Sequence, residues 1–503
     1  MTTIEMSTES SLASTKRGGL RRFDMILFSV TAILLLSEVP VTAQLGQSVV
    51  LWTAVVIFFF FLPYGLITAE LGSTYPDAGG IYSWVSRAFG RFWGTQVSWW
   101  YWVNVGIWLP SVYLMFSTLL GQIFGWHLGY WPSVLIAVVL IWLNFAINVI
   151  RLDTSKWVAN VAAVITVTVM VVLFVSGVVF AVHHGSANAW NTGTLLPSWT
   201  TVGFLGVVVY NFLGFELMSS ASQEMRDPKR DVPRTILTAG LLIGVLYLVS
   251  TVGMLLLRPL ASIQTTTGLY TALKAGLGSS AVGHAFAFLL GLGALYCFFA
   301  LLIPWTIGAN RAAAEAAQRG DLPRAFGRLN PRFKTPVGAA ALISTVGTVF
   351  TLGWGIIVAV TGQNSGVVTL FWNLFAFSSV VFLFCYLVMA AAFLKLRIKD
   401  PDAPRPYKVP GGKLGAGIVG GLVVAFVAAG IVFFVWNPSG PVDWSFIVQM
   451  LIGLVVVGIM GIVFARFSSP HDVESDINLA VESKSAEARG LLPDQQLLLE
   501  GSE

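Results

Sequence analysis

The sequence predicts an all-α membrane protein with twelve transmembrane helices. Three observations carry this expectation. The chain of 503 residues is 56% hydrophobic and only 11% charged, whereas soluble domains carry roughly a quarter charged residues. Its apolar residues gather in twelve runs, each close to the ~20 residues that a helix needs to cross a bilayer. Lys and Arg fall almost entirely on alternate loops, the signature of an ordered membrane topology.

In chain order the runs cover residues 25–46, 49–71, 92–124, 131–150, 157–182, 201–222, 236–257, 285–309, 337–360, 367–394, 414–436 and 444–464. With the amino terminus inside, 27 of the 29 Lys and Arg residues lie in inward segments, and only Arg258 and Lys274 lie outside. Both ends are therefore expected in the cytoplasm. The same partition accounts for the isoelectric point near 9.2. The positive charge is a topology signal and not a nucleic-acid footprint. The expected organisation is a tail (1–24), a five-helix block (25–182), a second five-helix block (201–394), a helix pair (414–466) and a polar, disordered tail (467–503). No cleavable signal peptide is read in the first 22 residues, which are polar and end in "KRGGLRR".

Several functions are disfavoured at this level. The chain holds no Walker A loop, HExxH or GxSxG motif, so ATP-driven pumping and enzyme chemistry are not expected. No cofactor or metal is expected. Cys297 and Cys385 fall inside apolar runs, as small packing residues do. The five histidines, His127, His183, His184, His284 and His471, sit at run edges or in a tail without metal-ligand spacing.

The first run contains "AILLLSEVPVTAQLG" (32–46), with Glu38 and Pro40 near its middle. A carboxylate at the bilayer centre is costly and a proline removes a helical hydrogen bond. A break near Ser37–Thr42 reconciles both, provided that the freed backbone lines a cavity. The sixth run reads "GVVVYNFLGFELMSS" from Gly206, where Asn211, Gly214 and Glu216 interrupt it in the same way. Runs one and six each open a five-helix block with a mid-membrane glutamate. Five is odd, so the second block enters from the opposite side, giving a 5+5 inverted repeat with broken helices 1 and 6. A non-spanning segment follows the second helix of each block, "STYPDAGGIYSWVSRAFG" and "SIQTTTGLYTALKAGLGSSAVG".

Four patches carry a family resemblance: "AELGSTYPDAGGIYSWVSRAFG" (69–90), "NFLGFELMSSASQEMRDPKRDVPR" (211–234), "GANRAAAEAAQRGDLPRAFGRLNPRFKTP" (308–336) and "PRPYKVPGG" (404–412). Together they resemble the amino acid–polyamine–organocation transporters, which have the fold of the bacterial leucine transporter. The resemblance implies a secondary active transporter working by alternating access in a plasma membrane, with a bacterial inner membrane as the expected setting. One departure stands out. Amino-acid transporters of this family carry a glycine-rich GxG stretch where helix 1 unwinds, and its free amides hold the substrate carboxylate. This chain has "SEVPVTA" there. Glu38 at that point attracts an ammonium and repels a carboxylate. Two substrate readings stay open: an amine or polyamine contacted by Glu38, or an amino acid with Glu38 protonated as a proton carrier.

The candidate site comprises Ser37, Glu38 and Thr42 on helix 1, Asn104 on helix 3, Tyr210, Asn211, Phe212, Gly214 and Phe215 on helix 6, and Tyr296 on helix 8. The aromatic residues are candidates to stack on a cation or form a gate. One of Trp99, Trp100, Trp102 and Trp108 is a further candidate to face the site. Glu38 and Glu216 are the candidate proton-coupling groups, each set against a purely structural, hydrogen-bonded role. Glu70 is expected to be a structural anchor facing the "RDPKR" loop. Residues 285–305 of helix 8 contain no Ser or Thr, and helix 5 carries no Lys in its middle. The resemblance therefore implies neither the sodium site nor the lysine substitute seen in relatives, and leaves proton coupling or exchange of solutes. The expected partners are a small-molecule substrate, a proton or counter-solute, and the lipid bilayer. Helices 11 and 12 lie outside the repeat and are available for a homodimer interface or as scaffold. A non-transporting sensor and an ion channel are the competing classes.

Overall fold

A helix closes its backbone hydrogen bonds within itself, as a bilayer requires of a spanning segment. The computed structural model describes residues 22–75, 80–150, 155–217, 228–360, 366–436, 438 and 442–467. The expectation of disordered tails falls on residues outside these. The helices are α1 (Arg22–Ile33), α2 (Glu38–Thr42), α3 (Val49–Val56), α4 (Leu62–Thr74), α5 (Ile81–Phe89), α6 (Arg91–Phe124), α7 (Tyr130–Ile150), α8 (Ser155–His184), α9 (Leu205–Tyr210), α10 (Pro228–Leu257), α11 (Gly268–Leu277), α12 (Ala281–Gln318), α13 (Val337–Val360), α14 (Gly366–Lys399), α15 (Gly412–Val435) and α16 (Trp444–Phe467). A π-helical turn, Ile57–Phe61, joins α3 to α4.

Among the described residues the fold is all helical, and ten helices are long and apolar enough to cross a membrane. The first and sixth runs are the ones that are interrupted. α1 stops at Ile33, and α9 stops at Tyr210. The two non-spanning segments form the short helices α5 and α11.

α6 is the central helix. Nearly every residue from Gly94 to Met115 is buried, and α12 and α14 pack along it. Two of its serines return their hydroxyls to their own helix, Ser111 to the Trp108 carbonyl at 2.6 Å and Ser117 to Leu114 at 2.8 Å, which satisfies them in an apolar setting. α16, by contrast, shows Leu451, Ile452, Val455 and Ile459 on its outer side, as lipid contact allows. α8 and α10 meet through glycine. A Cβ on Gly177 would lie 2.5 Å from the Gly253 carbonyl oxygen, and one on Gly253 would lie 2.5 Å from the Leu173 carbonyl oxygen. Only hydrogen side chains permit that approach.

The positively charged face carries a clasp. Glu70, at the end of α4, is buried. Arg397 Nε donates to Glu70 Oε1 at 2.8 Å, and its Nη2 donates to Oε2. Arg405 Nε lies 3.2 Å from Oε1, and the Val409 amide donates to Oε2 at 2.7 Å. Glu70 is thus the structural anchor expected. Among the described residues it holds α14 and the 400–411 segment; the expectation that it faces the "RDPKR" loop falls on side chains outside the described residues. Long-range pairing of two loops leaves no local trace in sequence, so the partner was not readable. Beside the clasp, Tyr75 donates to Asp400 at 2.9 Å, and Tyr82 and Arg91 both donate to Asp321. Burial and then the bond to Asp400 push the Tyr75 phenol up to about 12, and burial with the bond to Asp321 pushes the Tyr82 phenol up. Both stay protonated donors at physiological pH.

Removing Glu70 would leave two largely buried guanidinium groups unpaired. Glu70→Ala is expected to destabilise the fold by about 3–5 kcal/mol. Reversible unfolding in mixed micelles measures this, and a loss below about 1 kcal/mol would contradict the clasp.

Candidate functional site

The first break begins one turn ahead of Pro40. A proline ring clashes with the carbonyl four residues earlier and offers no N–H, so the helix fails at Leu34–Ser37, upstream of the expected Ser37–Thr42. Ser37, Glu38 and Thr42 are instead at or within α2, with Pro40 in its first turn. The freed backbone groups are taken by side chains from other helices. Trp305 Nε1 of α12 donates to the Ala32 carbonyl at 2.7 Å. The Tyr247 hydroxyl of α10 donates to the Ile33 carbonyl at 2.9 Å and accepts from the Leu35 amide at 2.8 Å.

The second break runs from Asn211 to Glu216, with Gly214 at φ 110°. Only glycine takes that conformation without strain, and a Cβ there would also meet Trp305 at 3.0 Å and Ile33 at 3.2 Å. Here too a tyrosine serves the backbone. Tyr64 of α4 accepts from the Phe215 amide at 3.2 Å and donates to Glu216 Oε2 at 2.8 Å. The second run thus stops the break in the sixth, and the seventh stops the break in the first. Asn211 Nδ2 donates to Thr42 at 2.9 Å and ties the two breaks together.

The two glutamates have opposite surroundings. Glu216 accepts from three phenols, Tyr64 at 2.8 Å, Tyr101 at 3.1 Å and Tyr386 at 2.7 Å. Glu38 is equally buried, but only Ser37 reaches it, at 3.4 Å to Oε1, and its Oε2 has no hydrogen-bond partner. Asn211 Oδ1 and Asn104 Oδ1 are also buried without partners. All three oxygens are acceptors.

A cavity of about 10 Å³ lies at the first break, lined by Ile33, Leu35, Trp108, Tyr210, Trp305 and Phe382. A second, of about 20 Å³, lies toward α5 and is lined by Tyr82, Tyr101 and Glu216. Tyr101 stands between them, stacked on Trp305 at 6.4 Å and edge-on to Phe382 at 5.5 Å. Each cavity has room for about one water molecule.

The structure brings Ser37, Glu38, Thr42, Tyr210, Asn211 and Gly214 together at the two breaks, with Asn104 buried in α6. It separates others from them. Phe212 and Phe215 pack on Phe61 of the π-helical turn at 5.5 and 5.3 Å, as core residues. Tyr296 is half-buried and donates to the Val158 carbonyl of α8 at 3.1 Å, so its phenol is spent on that helix and leaves the site. Trp108 is the α6 tryptophan that lines the cavity. Tyr64, Tyr101, Tyr247, Trp305, Phe382 and Tyr386 were missed. Each sits in an apolar run where aromatic residues are common, and nothing local marks it. Among the described residues no cluster of three or more His, Cys, Asp or Glu side chains could hold a metal ion.

Tyr64 makes two of these bonds and Tyr386 one. Tyr64→Phe is expected to cost about 1–3 kcal/mol because it strands the Phe215 amide, and Tyr386→Phe less. Reversible unfolding of both variants checks the order, and the reverse order would contradict the assignment.

The amino acid permease family pattern matches residues 20–459. The chain is 34% identical over 395 residues to a protein of Lactococcus lactis described as a probable agmatine/putrescine antiporter, covering 77% of this chain and 82% of that one. It is 28% identical to an uncharacterized transporter of Legionella pneumophila, covering 88% and 96%, and 25% identical to a probable polyamine transporter of Arabidopsis thaliana, covering 71% and 67%. A crystal structure of a variant manganese transporter from Eremococcus coleocola superposes with a TM-score of 0.52 at 13% identity, covering 89% of this chain and 93% of that one, and shares the fold alone. The protein is a transporter and not an enzyme, and it belongs to the amino acid permease family within the amino acid–polyamine–organocation superfamily.

Proposed function

We propose that the protein exchanges organic amines lacking a carboxylate, of the agmatine or putrescine kind, across a plasma membrane. The observation that carries this is Glu38, buried at the first break with Oε2 unpartnered. A buried carboxylate oxygen without a donor is costly, and a substrate ammonium is the group that relieves it. The names of the relatives from Lactococcus and Arabidopsis support the substrate class. Asn104 and Asn211 supply further acceptors for a second donor, and the ring of Tyr210, Trp108 or Trp305 supplies a face for a cation.

In this reading the interrupted first and sixth runs are both crossings, which brings the ten continuous spans to twelve. The cytoplasmic placement of both termini follows from the alternating Lys and Arg distribution, and the 5+5 inverted repeat from the spacing of the two breaks and the odd helix count of each block. The reciprocal tyrosines, Tyr64 and Tyr247, are what an inverted repeat would produce. Alternating access opens the Tyr101–Glu216 side and the opposite side in turn. Glu38 carries the substrate charge, and Glu216, held by three phenols, serves the closure toward α5. Exchange of one amine for another keeps Glu38 compensated throughout a cycle, so no coupling cation is required. Thr306, the first hydroxyl residue after 285–305 of helix 8, is committed to Asn144 and Asn148, which agrees with independence from sodium.

Thermal unfolding of the purified protein tests the substrate class. Agmatine or putrescine at a hundred times its Kd should stabilise the fold by about 2.7 kcal/mol, and Glu38→Gln should lose the shift. Stabilisation by amino acids only, retained in Glu38→Gln, would overturn the amine reading and favour Glu38 as a proton carrier. In proteoliposomes, uptake of labelled amine should require an internal amine and persist without sodium. Uptake into empty vesicles driven by a pH gradient would replace exchange by proton symport.

A further inference from the structure

A broken membrane helix normally offers its freed amides to an anionic part of the substrate. In this chain the Leu35 amide is already engaged. The Tyr247 hydroxyl accepts from it at 2.8 Å and passes its own proton to the Ile33 carbonyl at 2.9 Å. Tyr247 is 2% exposed. Ile33 and Leu35 both line the cavity at the first break, so the hydroxyl bonds the backbone of two lining residues. One neutral group thus spends a donor and an acceptor that would otherwise face the solute. The unpartnered buried side-chain atoms on the broken segments, Glu38 Oε2 and Asn211 Oδ1, are acceptors. Tyr64 in the other break is used differently, since it gives its proton to Glu216 and not to a carbonyl.

We infer that Tyr247 is a specificity-determining residue: its hydroxyl occupies the helix-break amide that a substrate carboxylate would need, and so excludes amino acids in favour of the corresponding amines. The inference rests on the amine reading above. A carboxylate arriving at the first break meets an amide already bonded and, within a few residues, the Glu38 carboxylate. A decarboxylated solute needs no donor there and loses nothing.

Agmatine and arginine differ only by the carboxylate, as do putrescine and ornithine, and these pairs are the probes. Affinities are measured from thermal stabilisation of the full chain for wild type, Tyr247→Phe and Tyr247→Leu, the last as a second way of removing the hydroxyl. The wild type should bind each amine and discriminate against its amino acid. Tyr247→Phe should keep agmatine binding while its preference over arginine falls on the order of ten-fold, the worth of one charge-assisted hydrogen bond. A purely structural role would weaken both ligands together and leave the ratio unchanged, and that result in a folded variant overturns the inference. So does a wild type that binds arginine as tightly as agmatine, a measurement independent of whether either variant folds, and it leaves the transporter reading standing. A wild type stabilised by neither amine removes the amine reading, and this inference with it.

Discussion

Two interrupted helices leave backbone N–H and C=O groups inside an apolar layer, where each unmet group costs several kcal/mol. The structure meets that constraint with aromatic side chains that carry one polar atom. Tyr247 takes both a carbonyl and an amide at the first break, Trp305 takes a carbonyl, and Tyr64 takes an amide at the second. Such side chains are amphipathic. Their rings pack in the core as hydrocarbon, and their tips replace the missing helical partners.

This solution shapes the site. The Ala32 and Ile33 carbonyls and the Leu35 and Phe215 amides are bonded by the protein's own side chains, while side-chain oxygens of Glu38, Asn104 and Asn211 have no partner. These three unpartnered atoms are all acceptors. The same aromatic residues close the cavity. Trp305 bonds the first break, lines the cavity and stacks on Tyr101, whose hydroxyl reaches Glu216. Backbone satisfaction and the lining of the cavity therefore fall to one connected group of rings.

The clasp on the positively charged face belongs to the same arrangement. Glu70 binds α4 to α14 through Arg397, and the same two helices supply Tyr64 and Tyr386 to Glu216. The ion pair fixes how those helices sit, and their phenols then converge on one carboxylate. A buried pair of this sort adds little net stability against an apolar substitute, but it specifies register strongly, because either partner alone is costly.

The sequence by itself determined the apolar runs, their alternation of charge, and, to within about a turn, the two places where a helix could not continue. Those are local properties: run length, a proline that clashes four residues back, a glycine free to take positive φ. They located Glu38, Gly214 and Asn211 at the breaks. Only the tertiary structure decided which side chains met the freed backbone, that Glu216 is triply bonded while Glu38 is not, and that Glu70 faces Arg397 and Arg405. It also decided that Phe212, Phe215 and Tyr296 pack elsewhere. These depend on which residues more than a hundred positions apart are brought together, and in a chain with 13% aromatic residues a tyrosine that stops a helix break looks the same in sequence as one that fills the core.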